Sequence, residues 1–222
     1  MTYTELVAEI QAYTQNYESD FVANIPTFVK QTETRVYNSV QIPALRANKI
    51  GKVTTGVKYV SCPTDFLSVF SFAVIDGDGN YEYLLNKDVN FMRAAYPNPN
   101  EQGLPKYYAL FGPEVVNQTP TNELSFILAP TPDALYTVEL HYYYYPQSIV
   151  TAGTSWLGDN YDPVLLYGSL VEAYTFMKGE QDMMGYYEKK YQDALMQLNR
   201  LGTGLERGDA YRDGQAKIRV NP

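Results

Sequence analysis

Apolar residues recur every three or four positions at both ends of the chain and about every two in its middle, a pattern that reads helix, sheet, helix. Thr2, with Glu5 three residues on, forms a capping box, and Leu6, Ile10 and Tyr13 then make one stripe of a helix over roughly Tyr3 to Thr14. A second helix is expected to start near Asn24 with Pro26 in its first turn, to bury Phe28, Thr32, Val36 and Val40, and to end before Pro43. From about Lys49 to Pro146, short β-rich runs alternate with Gly, Pro, Asn and Asp. Strands are expected over Val53 to Val60, Leu67 to Ile75, Tyr81 to Leu85, Lys106 to Leu110, Leu124 to Leu128 and Tyr136 to Tyr145. A hairpin turn falls at Asp76 to Asn80, and a short helical turn lies between Asn86 and Tyr96 with Asp88 at its start. Asp162-Pro163 opens the last helical region as a cap followed by proline. Leu166, Leu170, Tyr174 and Met177 form one stripe, Met184, Tyr187, Tyr191, Ala194 and Leu198 another, and Gly179 kinks or breaks the helix between them. After Leu201 no period survives.

The fold class is therefore α+β. Residues 1–48 and 154–201 form a helical bundle, 49–153 an antiparallel β lobe, and 202–222 an extended C-terminal arm. The 222 residues are enough to bury a core without disulfide or metal staples, and a composition 45% hydrophobic and 19% charged excludes wholesale disorder. The net charge of -8 argues against a protein that grips nucleic acid through many phosphates. It is also uneven. Residues 1–200 carry 13 basic and 22 acidic groups, whereas the glycine-rich tail sets four basic groups against three acidic ones, as in an arm that orders on a partner. The start has no basic and apolar leader and no run is long enough to span a membrane, so the expectation is a cytosolic chain without membrane contact.

Candidate chemistry is sparse. One cysteine, Cys62, rules out an intrachain disulfide and thiolate metal clusters, and reads as a small buried hydrophobe. The lone His141 has no orienting carboxylate or nucleophile that sequence can identify, and reads as a packed or surface strand histidine. Asp76, Asp78 and Asn80 imitate the opening of a calcium loop, but Tyr81 and Lys87 stand where Gly and Glu are needed, so the segment reads as a plain turn. Gly202, Gly204 and Gly208 fit a helix end and hinge better than a dinucleotide loop. No cofactor, metal or catalytic residue is expected. What stands out is tyrosine, 22 of 222, with Tyr142 to Tyr145 on both faces of one strand. That ridge is either an interface or a sheet packed on two sides.

Several strings, in order, resemble the head-to-tail adaptor (connector) proteins of tailed bacteriophages, especially short-tailed ones. They are Ile25-Pro26-Thr27-Phe28-Val29 with Glu33 and Arg35, then Pro63-Thr64-Asp65-Phe66-Leu67, then Gly103-Leu104-Pro105-Lys106-Tyr107-Tyr108. Tyr142-Tyr143-Tyr144-Tyr145-Pro146 follows and leads through Thr154-Ser155-Trp156-Leu157 into Asp162 to Leu170. The resemblance covers nearly the whole chain. It implies a structural virion protein, not an enzyme, at the head–tail interface of a particle assembled in a bacterial cytoplasm. That protein would be one subunit of a homo-oligomeric ring, a dodecamer, between the portal protein and the tail nozzle protein, and DNA would pass through without specific binding.

Under that resemblance the C-terminal arm binds the portal through Arg207, Tyr211, Arg212, Lys217, Ile218, Arg219 and Val220. Glu172, Glu180, Asp182, Glu188 and Asp193 are either channel-facing groups or an ordinary solvated helix face. The alternative from another class is a tail or baseplate module that stacks glycans on exposed tyrosines.

Overall fold

A computed structural model describes residues 1–98, 100–112 and 124–203, together with the backbone of 115–116, 119–120 and 204–207. Helices α1 (Tyr3–Thr14) and α2 (Ser19–Ser39) come first, then a 3-10 turn at Pro43–Leu45. Strands β1 (Arg46–Val53), β2 (Tyr59–Ser61), β3 (Phe66–Ile75), β4 (Tyr81–Tyr83) and β5 (Leu85–Asn86) follow, then helix α3 (Val89–Ala95). Strands β6 (Tyr107–Phe111), β7 (Val115–Val116), β8 (Thr119–Pro120), β9 (Ser125–Ala129) and β10 (Tyr136–Tyr144) complete the β region. Helices α4 (Ile149–Ala152), α5 (Trp156–Asn160), α6 (Asp162–Phe176) and α7 (Gln181–Arg207) close the described chain. The fold is α+β. Two compact units divide it: Met1–Leu45 with the chain from Pro146 onward, and Arg46–Tyr145.

In the helical unit α6 is the central element, because it buries Val164, Leu165, Leu166, Leu170 and Ala173 around most of its circumference and packs against α1, α2, α5 and α7. The capping box at Thr2 and Glu5 holds the start of α1, and Leu6 and Ile10 are fully buried. Helix α2 begins at Ser19, earlier than its proline suggests, and Pro26 lies inside it. A proline inside a helix costs about 3 kcal/mol. Extending the stripe upstream through Phe21 and Ile25, both fully buried, gains roughly 1.5–3 kcal/mol for each, which outweighs that loss. Pro163 occupies the first turn of α6 as expected, but Tyr161 is the capping position, and Asp162 acts through its charge at the helix start. Gly179 falls in a true break between α6 and α7.

Two glycines set how closely the helices approach. An added Cβ at Gly168 would meet Thr32 and the Tyr191 ring, and one at Gly202 would run into Ile42. Gly202 is therefore a packing position on a helix that continues to Arg207, not the start of an extended tail. Between α2 and α4, the buried Glu33 carboxylate accepts the Ile149 N–H at 2.8 Å and is also bonded by the Ser148 side chain. Burial pushes its pKa above the usual carboxylate range.

In the β unit one sheet has the order β1-β10-β3-β4 and a second β2-β9-β6-β5, with β7 and β8 as a separate hairpin. Among the described strands all pairings are antiparallel except β5 with β6. Val53, Phe72, Val74, Tyr108, Phe126, Leu128, Val138, Leu140 and Tyr142 form the core between the two sheets. The strand expected over Val53 to Val60 is instead the end of β1, a turn through Gly56 (φ 75°), and the start of β2. The sequence Arg46-Ala-Asn-Lys-Ile-Gly-Lys-Val53 hides β1 because an edge strand pairs on one side only and needs few apolar residues. Short helices α4 and α5, each started by a serine cap (Ser148, Ser155), occupy a stretch with no helical period long enough to read.

Candidate functional site

The alternation of β10 sorts its side chains into two sets. Val138, Leu140 and Tyr142 enter the core, while Thr137, Glu139 and His141 lie on the outer face with their register partners on β1 and β3. That outer face carries a polar network. Asn48 Nδ2 donates to Glu139 Oε1 at 2.8 Å, His141 Nε2 lies 3.4 Å from the same oxygen, and Ser71 Oγ lies 3.1 Å from His141 Nδ1. The Tyr81 phenol on β4 also donates to Glu139, and these bonds, the Tyr81 one foremost, hold the Glu139 pKa below its ordinary range. His141 thus has both the carboxylate and the hydroxyl that sequence could not identify. They come from cross-strand register, with Ser71 directly opposite His141, and no local string encodes that pairing.

Serine, histidine and carboxylate in this order are also the groups of acyl-transfer enzymes. Such chemistry needs a substrate cavity and N–H donors aimed at a developing oxyanion. Three cavities stand out among the described residues: about 70 Å³ beside Tyr59 and Met92, about 320 Å³ between Lys49 and Phe126, and about 460 Å³ beside Arg35. None of them is lined by Ser71, His141 or Glu139. The network is a polar cross-strand ladder that ties β1, β10, β3 and β4 together. Cys62 lines the apolar middle cavity, where burial pushes its thiol up to about 12.

In the tyrosine ridge, Tyr142 and Tyr143 are buried on opposite faces of β10, while Tyr145 is exposed. Tyr142 is buried, stacks on Phe66 and donates to Asp65 Oδ1 at 3.0 Å. Tyr143 is buried beneath Arg46, whose guanidinium donates to its hydroxyl at 2.7 Å and covers the Phe70 ring at 3.8 Å. The register passes over Phe70 at a bulge, which leaves that ring half exposed. The exposed aromatic pair of the β unit lies elsewhere: Tyr81 and Tyr83 stack on one face of the edge strand β4.

Of the acidic residues singled out in the helical unit, two are drawn together by one cation. Arg35 on α2 reaches Glu172 on α6 at 3.1 Å and Glu188 on α7 at 3.4 Å, with its guanidinium 4.6 Å from the Tyr191 ring centre. Glu172 and Glu188 therefore brace three helices. Glu180, Asp182 and Asp193 are solvent-exposed and make no ion pair among the described residues. Arg207 ends α7, and Tyr211, Arg212, Lys217, Ile218, Arg219 and Val220 lie outside the described residues.

Among the described residues no three His, Cys, Asp or Glu side chains are grouped to hold a metal, and no helix is long and apolar enough to cross a membrane. No curated protein matches the chain. The model of the SU10 adaptor protein family matches residues 1–219, which takes in both units and nearly all of the C-terminal segment. The chain belongs to the SU10 adaptor protein family, in keeping with its resemblance to phage head-to-tail adaptors.

Proposed function

We propose that this adaptor is one subunit of a homo-oligomeric ring, a dodecamer, that joins the portal protein to the tail nozzle and leaves a passage for DNA. The observation that carries the reading is the family match over residues 1–219. Two further features support it. The chain is acidic, and residues 1–200 more so, which repels a duplex within about a Debye length, roughly 8 Å at physiological salt, and lets it slide. Glu180, Asp182 and Asp193, exposed and uncompensated among the described residues, are the channel-facing groups in this reading, and Glu172 and Glu188 hold the bundle that presents them. The C-terminal arm is the portal-binding element, with Tyr211, Ile218 and Val220 as apolar anchors and Arg207, Arg212, Lys217 and Arg219 as charges.

The test is native mass spectrometry and electron microscopy of the full-length protein mixed with its portal. Portal-bound dodecamers are expected, and one or two copies per portal would refute the ring. Truncation belongs after Arg207, because Gly202 packs on Ile42 within α7. The truncated protein is expected to keep its circular dichroism and thermal transition and to lose portal attachment. Unchanged attachment would remove the arm from the mechanism.

A further inference from the structure

The first sheet of the β unit ends in two unlike edges. Strand β1 brings Arg46, Lys49 and Lys52 and no acidic residue, while β4 and the turn before it bring Asp76, Asp78 and Glu82 and no basic one. Among the described residues, each edge leaves one row of backbone N–H and C=O groups without a ladder partner, the arrangement that invites another strand. Lys49, Lys52 and Glu82 are all exposed, and none of the three makes an ion pair among the described residues.

We propose that β4 of one copy adds onto β1 of the next, continuing the sheet from subunit to subunit. This interface rests on the ring reading above and deepens it by naming the strands in contact.

Register and pleat set the pairing. Lys49 is opposite Leu140 and Glu82 opposite Val74, and Leu140 and Val74 both belong to the core, so Lys49 and Glu82 lie on the same face of a continued sheet. Antiparallel pairing of Glu82 with Lys49 then sets Tyr81 against Ile50 and Tyr83 against Asn48 on the outer face. Two of these contacts are complementary. A carboxylate meets an ammonium, and Tyr81 and Ile50, 51% and 65% exposed in the single chain, cover each other. The Tyr81–Glu139 bond holds the docking strand against its own sheet.

Charge also excludes the symmetric alternatives. Two β1 edges would bring lysines onto lysines, and two β4 edges would bring carboxylates onto carboxylates, so only the head-to-tail pairing is favourable. Head-to-tail contacts are the kind that close into rings. In the free subunit Lys49, an inward-facing charge on an edge strand, discourages indiscriminate strand addition until a carboxylate arrives to meet it.

The experiment compares portal-bound ring yield for the full-length wild type, Lys49→Glu, Glu82→Lys and the double variant. Circular dichroism serves as the folding control, since both side chains are exposed. Each single variant is expected to lose at least tenfold in ring yield, and the double variant to recover most of it. Equal mixing of the two single variants is also expected to restore rings, because alternation of the two in an even-numbered ring gives every interface one lysine and one glutamate. Wild-type levels for the single variants, or no recovery in either the double variant or the mixture while the wild type forms rings, would overturn the interface alone. Absence of rings in the wild type would instead refute the ring reading, and the interface with it.

Discussion

Replacing Gly168 by alanine measures how tightly α6 is clamped between α2 and α7. The new Cβ would stand 3.0 and 3.1 Å from two carbons of the Tyr191 ring and closer still to Thr32 Cγ2, against an ordinary carbon contact of about 3.5 Å or more. Neither neighbour can step aside. Thr32 is fully buried and its hydroxyl donates to the Phe28 carbonyl at 3.0 Å, while Tyr191 is buried beneath the Arg35 guanidinium. Overpacking of this kind costs about 1–3 kcal/mol, and the absence of slack on either side puts this site at the upper end. Alanine returns about 1 kcal/mol through helix propensity, which leaves a net loss of about 2 kcal/mol and a melting temperature lower by about 4–8 °C.

Circular dichroism melts and urea midpoints read this directly. Gly185→Ala on α7, where a Cβ would meet nothing within 4 Å, is the control and is expected to stabilise by about 0.5–1 kcal/mol. Adding Thr32→Ser to Gly168→Ala removes the obstructing methyl and keeps the hydroxyl, so most of the loss is expected back as a coupling energy between contacting residues. A Gly168→Ala protein as stable as wild type, or one that Thr32→Ser fails to improve, would refute the clamp.

Glu33→Ala is expected to cost about 1–3 kcal/mol in urea denaturation, because the buried Ile149 N–H loses its acceptor, whereas Glu33→Gln keeps an acceptor and is expected to stay folded and stable. The Glu33 pKa is raised in the fold, so its favourable contribution is present below the unfolded carboxylate pKa and fades as pH rises through the folded one. Wild type should therefore gain stability from neutral to mildly acidic pH relative to Glu33→Gln, and parallel pH profiles would contradict the buried charge. Cys62, buried with its pKa at about 12, is expected to react with a thiol reagent at least about 10³-fold more slowly than a free thiol until the β unit unfolds, and fast labelling of native protein would disprove its burial.

Sequence reads best where the determinants are local. The Thr2–Glu5 capping box, the turn that Asp76 closes by accepting from the Asp78 and Asn80 backbone, and Asp88 at the start of α3 are each settled within a few residues. What was hidden depends on partners far along the chain. Edge strand β1 has too few apolar residues to show a period, the partners of His141 come from register with β3, and the Arg35 clamp joins residues 137 and 153 positions apart. The start of α2 is not legible locally because proline is a strong local signal, and burial of Phe21 and Ile25 overrides it. The tyrosine ridge shows the same limit: alternation puts tyrosine on both faces of β10, and only the long-range pairing of Arg46 with Tyr143 covers the outer one of the two buried tyrosines.

The pairing of β1 with β10 also bears on how such a protein changes over time. These strands are the way into and the way out of the β unit, and they run side by side from Arg46 opposite Tyr143. Paired Cα atoms lie about 4.5–5.5 Å apart, and Arg46 and Tyr143 stand one and three residues from Leu45 and Pro146, so a short peptide can bridge the gap that the hundred-residue insertion leaves in the helical unit. Lengthening, shortening or exchanging what lies beyond that doorway imposes almost no closure cost on the helices, because the ends are already held together. The β unit can thus change in length and sequence while the clamp around Gly168 and Arg35 stays as it is.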